Sequence, residues 1–400
     1  MSKVIQDAYI VAATRTPVAK RKGAFTNVRP DDMLAHVLKN VVAQAPGLNA
    51  HEIGDVIVGC AMPEAEQGMN VARIGVLLAG LPDTVPAITI NRFCSSGVNA
   101  VAMAADRIRM GECDVAIGAG TESMSILAQM MGNKVAANPA FFEKNENFAI
   151  AYGMGITAER VADRWQVSRE EQDAFAVAST NKALAAIAAG KFKAEISPYL
   201  VQNHLPDLPS GQVRIKEKLF DTDEGPRAGT TMETLARLRP VFAARGSVTA
   251  GNSSQMSDGA AAVLLMSEAA VKRYNLKPLA RFVSFAVAGV PPEIMGIGPI
   301  EAIPRACKLA GISQDQIDWF ELNEAFAAQS LAVIKDLNLD PAKVNPQGGA
   351  IALGHPLGAT GAIRTATLVH AFQRDPSLKY GMVTMCIGTG MGAAGIFERV

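Results

Sequence analysis

The feature that most constrains this chain is a repeat at long range. Asp55-Val-Ile-Val-Gly-Cys60 is matched in pattern by Asp318-Trp-Phe-Glu-Leu-Asn323, and the strand-turn-helix around Cys94 by the turn-helix around His355. The run 114–119 followed by Gly-Thr-Glu is matched by 381–386 followed, after Ile387, by Gly-Thr-Gly, so all three offsets are about 260 residues. Residue identity between the copies is low, so what is duplicated is architecture. Two similar halves follow, whose matching helices can meet at a shared centre.

Each half reads as α/β, because short apolar runs alternate with helical patterns and glycine or proline marks their ends. Candidate strands are Asp55–Cys60, Ala87–Ile90, Asp114–Ala119, Ala260–Met266, Asp318–Leu322, Gly381–Cys386 and Ala393–Glu398, after an opening strand within Met1–Ile10. Residues 124–247 fit neither half. Ser168-Arg-Glu-Glu171 carries a capping-box signature for a helix running to Ala189 before Gly190. The stretch 197–239 has four prolines and reads as loop-rich, so 124–247 is expected to be a lid-like insertion.

Composition removes several function classes. Charged residues are 19% of the 400, hydrophobic ones 49%, and 38 basic residues balance 38 acidic ones. A phosphate-tracking nucleic-acid binder normally shows a basic excess, so nucleic acid is not an expected partner. No apolar run reaches the roughly 20 residues that span a bilayer. The first residues carry charges where a signal peptide needs an apolar run, and the five cysteines read as free thiols. A cytoplasmic protein is expected. Low charge and long apolar helices also predict a homodimer or homotetramer.

Chemistry concentrates at a few positions. Cys94 follows the strand Ala87–Ile90 and precedes a helix with Val98, Val101, Ala105 and Ile108 at helical spacing. Orphan N–H groups at that helix start are expected to lower the thiol pKa and favour a nucleophile, while a small buried hydrophobe is the plainer alternative. Cys386 ends another strand and opens Cys-Ile-Gly-Thr-Gly390. The following Gly390-Met-Gly-Ala-Ala-Gly395 matches the dinucleotide fingerprint in letters only, since there is room for a strand but no helix before Val400 and no acidic residue stands about 20 positions on. These glycines instead offer free N–H groups to a developing oxyanion.

His355 lies in the glycine-rich run Gly348 to Gly361, where His355-Pro356 replaces the Lys and Ser/Thr of a phosphate loop. Pro356 suits a first helical turn and leaves His355 in the preceding loop. Asn323 reads either as the cap of a helix through Lys335 or as an amide holding a water or carbonyl oxygen. No spacing matches a zinc or calcium site.

Taken together, Asn91-Arg-Phe-Cys-Ser-Ser-Gly97, Gly246-Ser-Val-Thr-Ala-Gly-Asn252, Asn323-Glu-Ala-Phe326, Gly348 to Gly361 and Cys386-Ile-Gly-Thr-Gly390 resemble the thiolase family over essentially the whole chain. The resemblance implies an α/β fold of two βαβαβαββ halves, layered α-β-α-β-α, with a loop domain inserted in the first. The implied division is 1–123 with 248–278, the insertion 124–247 for CoA and substrate, and 279–400. It implies Cys94 as the acyl-carrying nucleophile, His355 as its base, and Cys386 as the acid/base at the substrate α-carbon. Asn323 would position a water that with His355 holds the enolate oxygen, and the N–H groups of Cys94 and Gly388 would form a second oxyanion hole. Ser254 would touch the pantetheine arm. Arg227 and Met154 are further candidate CoA or substrate contacts, Arg227 being equally explained as a solvated charge.

Coenzyme A is thereby a co-substrate, with no permanently bound cofactor. Gly153 stands where members specialised for acetoacetyl-CoA often carry His, and Asn91-Arg92 precedes Phe-Cys, which together resemble the degradative 3-ketoacyl-CoA thiolases. The alternatives are a biosynthetic acetyl-CoA acetyltransferase and a non-catalytic acyl-CoA or sterol carrier. Related degradative enzymes can also join a hydratase/dehydrogenase subunit.

Overall fold

The computed structural model describes residues 5–129 and 138–400; Met1–Val4, the start of the expected opening strand, and positions 130–137 of the insertion lie outside the described residues. The strands are β1 (Ala8–Arg15), β2 (Ala19–Lys20), β3 (Ile53–Gly59), β4 (Ala87–Ile90), β5 (Val115–Ser123), β6 (Tyr199–Asp207), β7 (Gln212–Phe220), β8 (Ser257–Ser267), β9 (Ala280–Gly289), β10 (Ile317–Leu322), β11 (Tyr380–Ile387) and β12 (Met391–Glu398). The first half orders its strands β1-β8-β5-β3-β4 and the second β9-β12-β11-β10. In both, the first two pairings are antiparallel and the next is parallel. The expected duplication is therefore visible strand by strand. The halves join edge to edge through the pairs Tyr9↔Arg281 and Ile10↔Ala280 of β1 and β9.

The helices are α1 (Pro30–Ala43), α2 (Val71–Leu78), α3 (Ser96–Arg109), α4 (Met124–Gln129), α5 (Met154–Arg164), α6 (Arg169–Ala188), α7 (Met232–Ala236), α8 (Glu268–Arg273), α9 (Gly298–Ala310), α10 (Ala327–Asp336), α11 (Ala350–Leu353) and α12 (Leu357–Arg374). Side-chain alternation explains the layering. On β8, Ala262, Leu264 and Met266 pack outward with α1 and α2, while Val263 and Leu265 pack inward with α3 and α12. The inner cluster continues to Val383 and Met385 of β11, and the far face of that sheet is covered by α9 and α10. The result is α-β-α-β-α. Strands covered on both faces read as continuous apolar runs, which is why they were legible in the sequence.

The two central helices touch backbone to backbone. A Cβ on Gly361 would lie 2.1 Å from Val98 N, and one on Gly97 would lie 2.6 Å from Ala362 N. No larger residue fits there. Each of these helices starts beside the chemistry-bearing residue of its own half, so their close contact brings those residues to one place.

The segment between β5 and β8 carries α4 to α7. Its capping box is formed as expected, with Ser168 accepting from Glu171 N–H and Glu171 accepting from Ser168 N–H. The stretch 197–239 departs from the expected loop, because β6 and β7 pair over nine residues each as an antiparallel hairpin. Pro206 stands near a strand end and Pro209 in the turn, so neither breaks the ladder. Among the described residues, no helix is long and apolar enough to cross a membrane.

Candidate active site

Cys94 sits in a single tight turn, Phe93–Ser95, between β4 and α3. Phe93 takes φ +44°, a conformation a bulky side chain rarely adopts. The turn is held locally: Asn91 Oδ1 accepts from Phe93 N–H at 2.8 Å, and Ser96 Oγ accepts from Arg92 N–H at 2.8 Å while donating to Phe93 O at 2.7 Å. It packs against α12 and β11 of the other half.

The backbone N–H groups of Gly388 and of Cys94 itself lie close enough to the Cys94 sulfur to lower its pKa. They favour the thiolate, but burial wins and pushes the thiol up to about 11, with the Glu122 charge adding to the rise. This corrects the expectation of a lowered pKa. The helix start acts within a turn, whereas desolvation comes from everything packed around the sulfur. Cys94 nevertheless keeps part of its surface open, and the resting group is a neutral, accessible thiol.

Cys386, the penultimate residue of β11, is wholly buried beside Ala158, Val248, Met295, Ala325 and Phe326. Burial pushes its thiol far above the ordinary range, and the nearby Cys94 adds to the shift. The two sulfurs are thus electrostatic neighbours, contributed by opposite halves. Gly388 lies open between Phe93 and Met154, since a Cβ there would stand 3.6 Å from Met154 Sδ and 3.8 Å from a Phe93 ring carbon.

His355 precedes the N-cap Pro356 of α12 and is almost fully buried. Its Nδ1 is 2.7 Å from Thr360 Oγ1 and its Nε2 is 3.4 Å from Asn323 Nδ2. An amide nitrogen only donates, so Nε2 carries the lone pair and Nδ1–H donates to Thr360. Burial, with Arg364 nearby, lowers the imidazole to about 3, so it is neutral, with its lone pair at Nε2. Asn323 does not cap a helix. Its N–H donates to Thr384 O at 2.9 Å and α10 begins four residues later, so the capping reading is corrected. The Asn323 Oδ1 is buried with no partner among the described residues, as suits an oxygen that holds a water.

Two functional neighbours went unnoticed in the sequence. Thr360 is the polar residue that fixes the imidazole, and its local signal is a hydroxyl in the first turn of a helix that opens Leu-Gly-Ala. Glu324 accepts from Ser179 Oγ at 2.7 Å, Asn345 Nδ2 at 2.8 Å and Ile351 N–H at 3.2 Å. It ties α6 of the insertion to the loop that leads into His355.

A cavity of about 370 Å³ is lined by Arg227, Leu235, Gly251, Gln255 and Ala352 among others. Gln255 donates to Gly225 O and Ala352 O, closing its floor. Arg227 is exposed yet lines this cavity, and Ser254 is half-buried between the lining residues Gly251 and Gln255. Met154 opens α5 beside Gly388, away from this lining.

Similarity to known proteins agrees with this arrangement. Residues 8–269 match the thiolase N-terminal domain and residues 276–399 the thiolase C-terminal domain. The chain is 52% identical over 401 residues to a 3-ketoacyl-CoA thiolase of Bacillus subtilis, covering 98% of this chain and 100% of that one. It is 46% identical over 399 residues to an acetyl-CoA acetyltransferase of Pseudomonas aeruginosa, covering 98% of each. The crystal structure of the Bacillus anthracis acetyl-CoA acetyltransferase matches with a TM-score of 0.88 at 39% identity over the whole of both chains. With both domains matched in order and the duplicated five-layer fold in place, the chain belongs to the thiolase family and is an acyltransferase.

Proposed function

We propose that this enzyme is a degradative 3-ketoacyl-CoA thiolase, cleaving 3-ketoacyl-CoA with CoA into acetyl-CoA and a shortened acyl-CoA in fatty-acid β-oxidation. The observation that carries the reading is that the turn holding Cys94 packs against β11, the strand that carries Cys386 and leads into Gly388, which lies open beside Phe93. His355 Nε2 takes the Cys94 proton as sulfur attacks the keto carbon, and the N–H groups of Cys94 and Gly388 receive the resulting oxyanion. The carbon–carbon bond then breaks, its electron pair passing to the acetyl-CoA enolate. A water on Asn323 with His355 stabilises the enolate oxygen, and Cys386 supplies the proton to carbon. CoA thiol finally displaces the acyl group from Cys94. A neutral imidazole and a neutral Cys386 are the protonation states these steps start from.

The cavity lined by Arg227 and Gln255 has the size of a small-molecule site, and it is the place for CoA, with Ser254 at its edge. Gly153 supports the degradative reading, because a Cβ there would meet nothing within 4 Å and the space beside Met154 is free for an acyl chain. The biosynthetic acetyltransferase is the second reading, favoured by the names of equally extensive relatives. A panel of 3-ketoacyl-CoA chain lengths assayed for acetyl-CoA release separates the two. Turnover beyond four carbons supports the proposal, activity confined to acetoacetyl-CoA supports the second reading, and binding without acetyl-CoA release marks a carrier.

A homodimer is part of the proposal. β4, which leads to Cys94, is an edge strand, with Ile88 44% exposed and Leu77 and Leu78 exposed on the adjoining α2. An open apolar edge of this kind calls for pairing with a second copy.

A further inference from the structure

We infer that Glu122 is a positioning residue that sets the nucleophile turn in register with the base. The inference rests on the roles proposed for Cys94 and His355.

Glu122 is next to last in β5 and is wholly buried. Its Oε2 accepts from Ala61 N–H and Gly358 N–H, each at 2.8 Å, and its Oε1 accepts from Met62 N–H at 3.3 Å and from Gln67 Nε2. The Cys60 sulfur lies 3.8 Å from Oε1. Every donor is a neutral N–H or S–H group. A buried carboxyl with no cation paired to it among the described residues is expensive to keep, and burial accordingly pushes this one up to about 7. It is kept because buried N–H donors from both halves, Ala61 and Met62 on one side and Gly358 on the other, end on it and would be left without an acceptor.

Two chains of contacts lead from this carboxyl to the reacting groups. On one side, Ala61 O accepts from Asn91 Nδ2 at 3.0 Å, and Asn91 Oδ1 accepts from Phe93 N–H at 2.8 Å. Phe93 is the left-handed residue immediately before Cys94. On the other side, Gly358 lies in the first turn of α12 with Thr360, whose hydroxyl holds His355 Nδ1. The first chain belongs to one half of the molecule and the second to the other. Contact at the junction is tight, because a Cβ on Gly358 would lie 2.5 Å from Ala61 N and 2.8 Å from Glu122 Oε2. One carboxyl therefore fixes how far the sulfur stands from the imidazole.

A double-mutant cycle on kcat and KM tests this. Glu122→Gln puts an amide NH2 among N–H donors, and a misplacement near 1 Å lowers kcat by roughly 10²-fold while KM for CoA stays within about twofold. Thr360→Val releases the imidazole directly. If Glu122 works through that helix turn, the double variant falls only about as far as the worse single variant; independent residues give the product of the two losses. Glu122→Asp, which keeps the charge at shorter reach, restores part of the rate and supplies the same cycle if the Gln variant does not fold. Additive losses, or an unchanged kcat in Glu122→Gln, overturn the inference. If Thr360→Val alone turns over like the parent enzyme, the roles assigned to His355 and Cys94 are at fault instead, and the inference falls with them.

Discussion

Gly388 lies beside the turn that holds Cys94, its N–H favouring the Cys94 thiolate, so the loop after β11 in one half completes the turn after β4 in the other. Neither half contains the site alone. The packing of α3 on α12 decides whether it exists, and glycine makes that packing possible.

Replacing Gly361 with Ala therefore separates the halves. The added methyl would sit 2.1 Å from Val98 N, which is backbone and cannot swing aside. Overpacking of this kind costs about 1–3 kcal/mol. A lower denaturation midpoint together with a fall in kcat is the expected result; a parent-like enzyme would show that the helices have room to spare.

The two cysteines are predicted to fail differently. Cys94→Ala abolishes acyl transfer and thiolysis together. Cys386→Ala still accepts an acyl group on Cys94 but loses about 10²- to 10⁴-fold in carbon–carbon cleavage, the usual contribution of a positioned acid or base. Rapid-quench assays of the separate half-reactions check this, and normal thiolysis in Cys386→Ala would remove its role.

Alkylation by iodoacetamide reads the Cys94 thiol directly. Because burial holds its pKa near 11, the thiolate fraction and the rate should climb about tenfold per pH unit across the neutral range, with no plateau below pH 9. A plateau near neutrality would mean that the N–H groups outweigh desolvation.

Glu324 bears on stability. Its removal leaves Ser179 Oγ and Asn345 Nδ2 buried without their acceptor. Glu324→Ala should cost about 2–3 kcal/mol in denaturant titrations and loosen the insertion. An unchanged midpoint would show that the contact between α6 and the loop before His355 is dispensable.

The duplicated fold was legible because its strands are apolar on both faces and its inner helices each follow a turn that carries a chemistry-bearing residue, Cys94 before α3 and His355 before α12. The β6–β7 hairpin was not, since it packs little of its surface and its alternation of Val213, Ile215 and Leu219 with Arg214, Lys216 and Lys218 lies among prolines. Cys94, Cys386 and His355 stood out from their local settings. Glu324 and Glu122 did not, because their partners Ser179 and Gly358 are remote in sequence and no local pattern announces them. The Cys94 pKa was misjudged for the same reason: a helix start is written locally, and desolvation is tertiary.

The most direct test is peptide mass spectrometry of the protein after incubation with acyl-CoA in the absence of free CoA. The account predicts one acyl group on the peptide containing Cys94, lost in Cys94→Ala and discharged when CoA is added. An acyl group on Cys386, or a protein that turns over substrate while never carrying one, would contradict it.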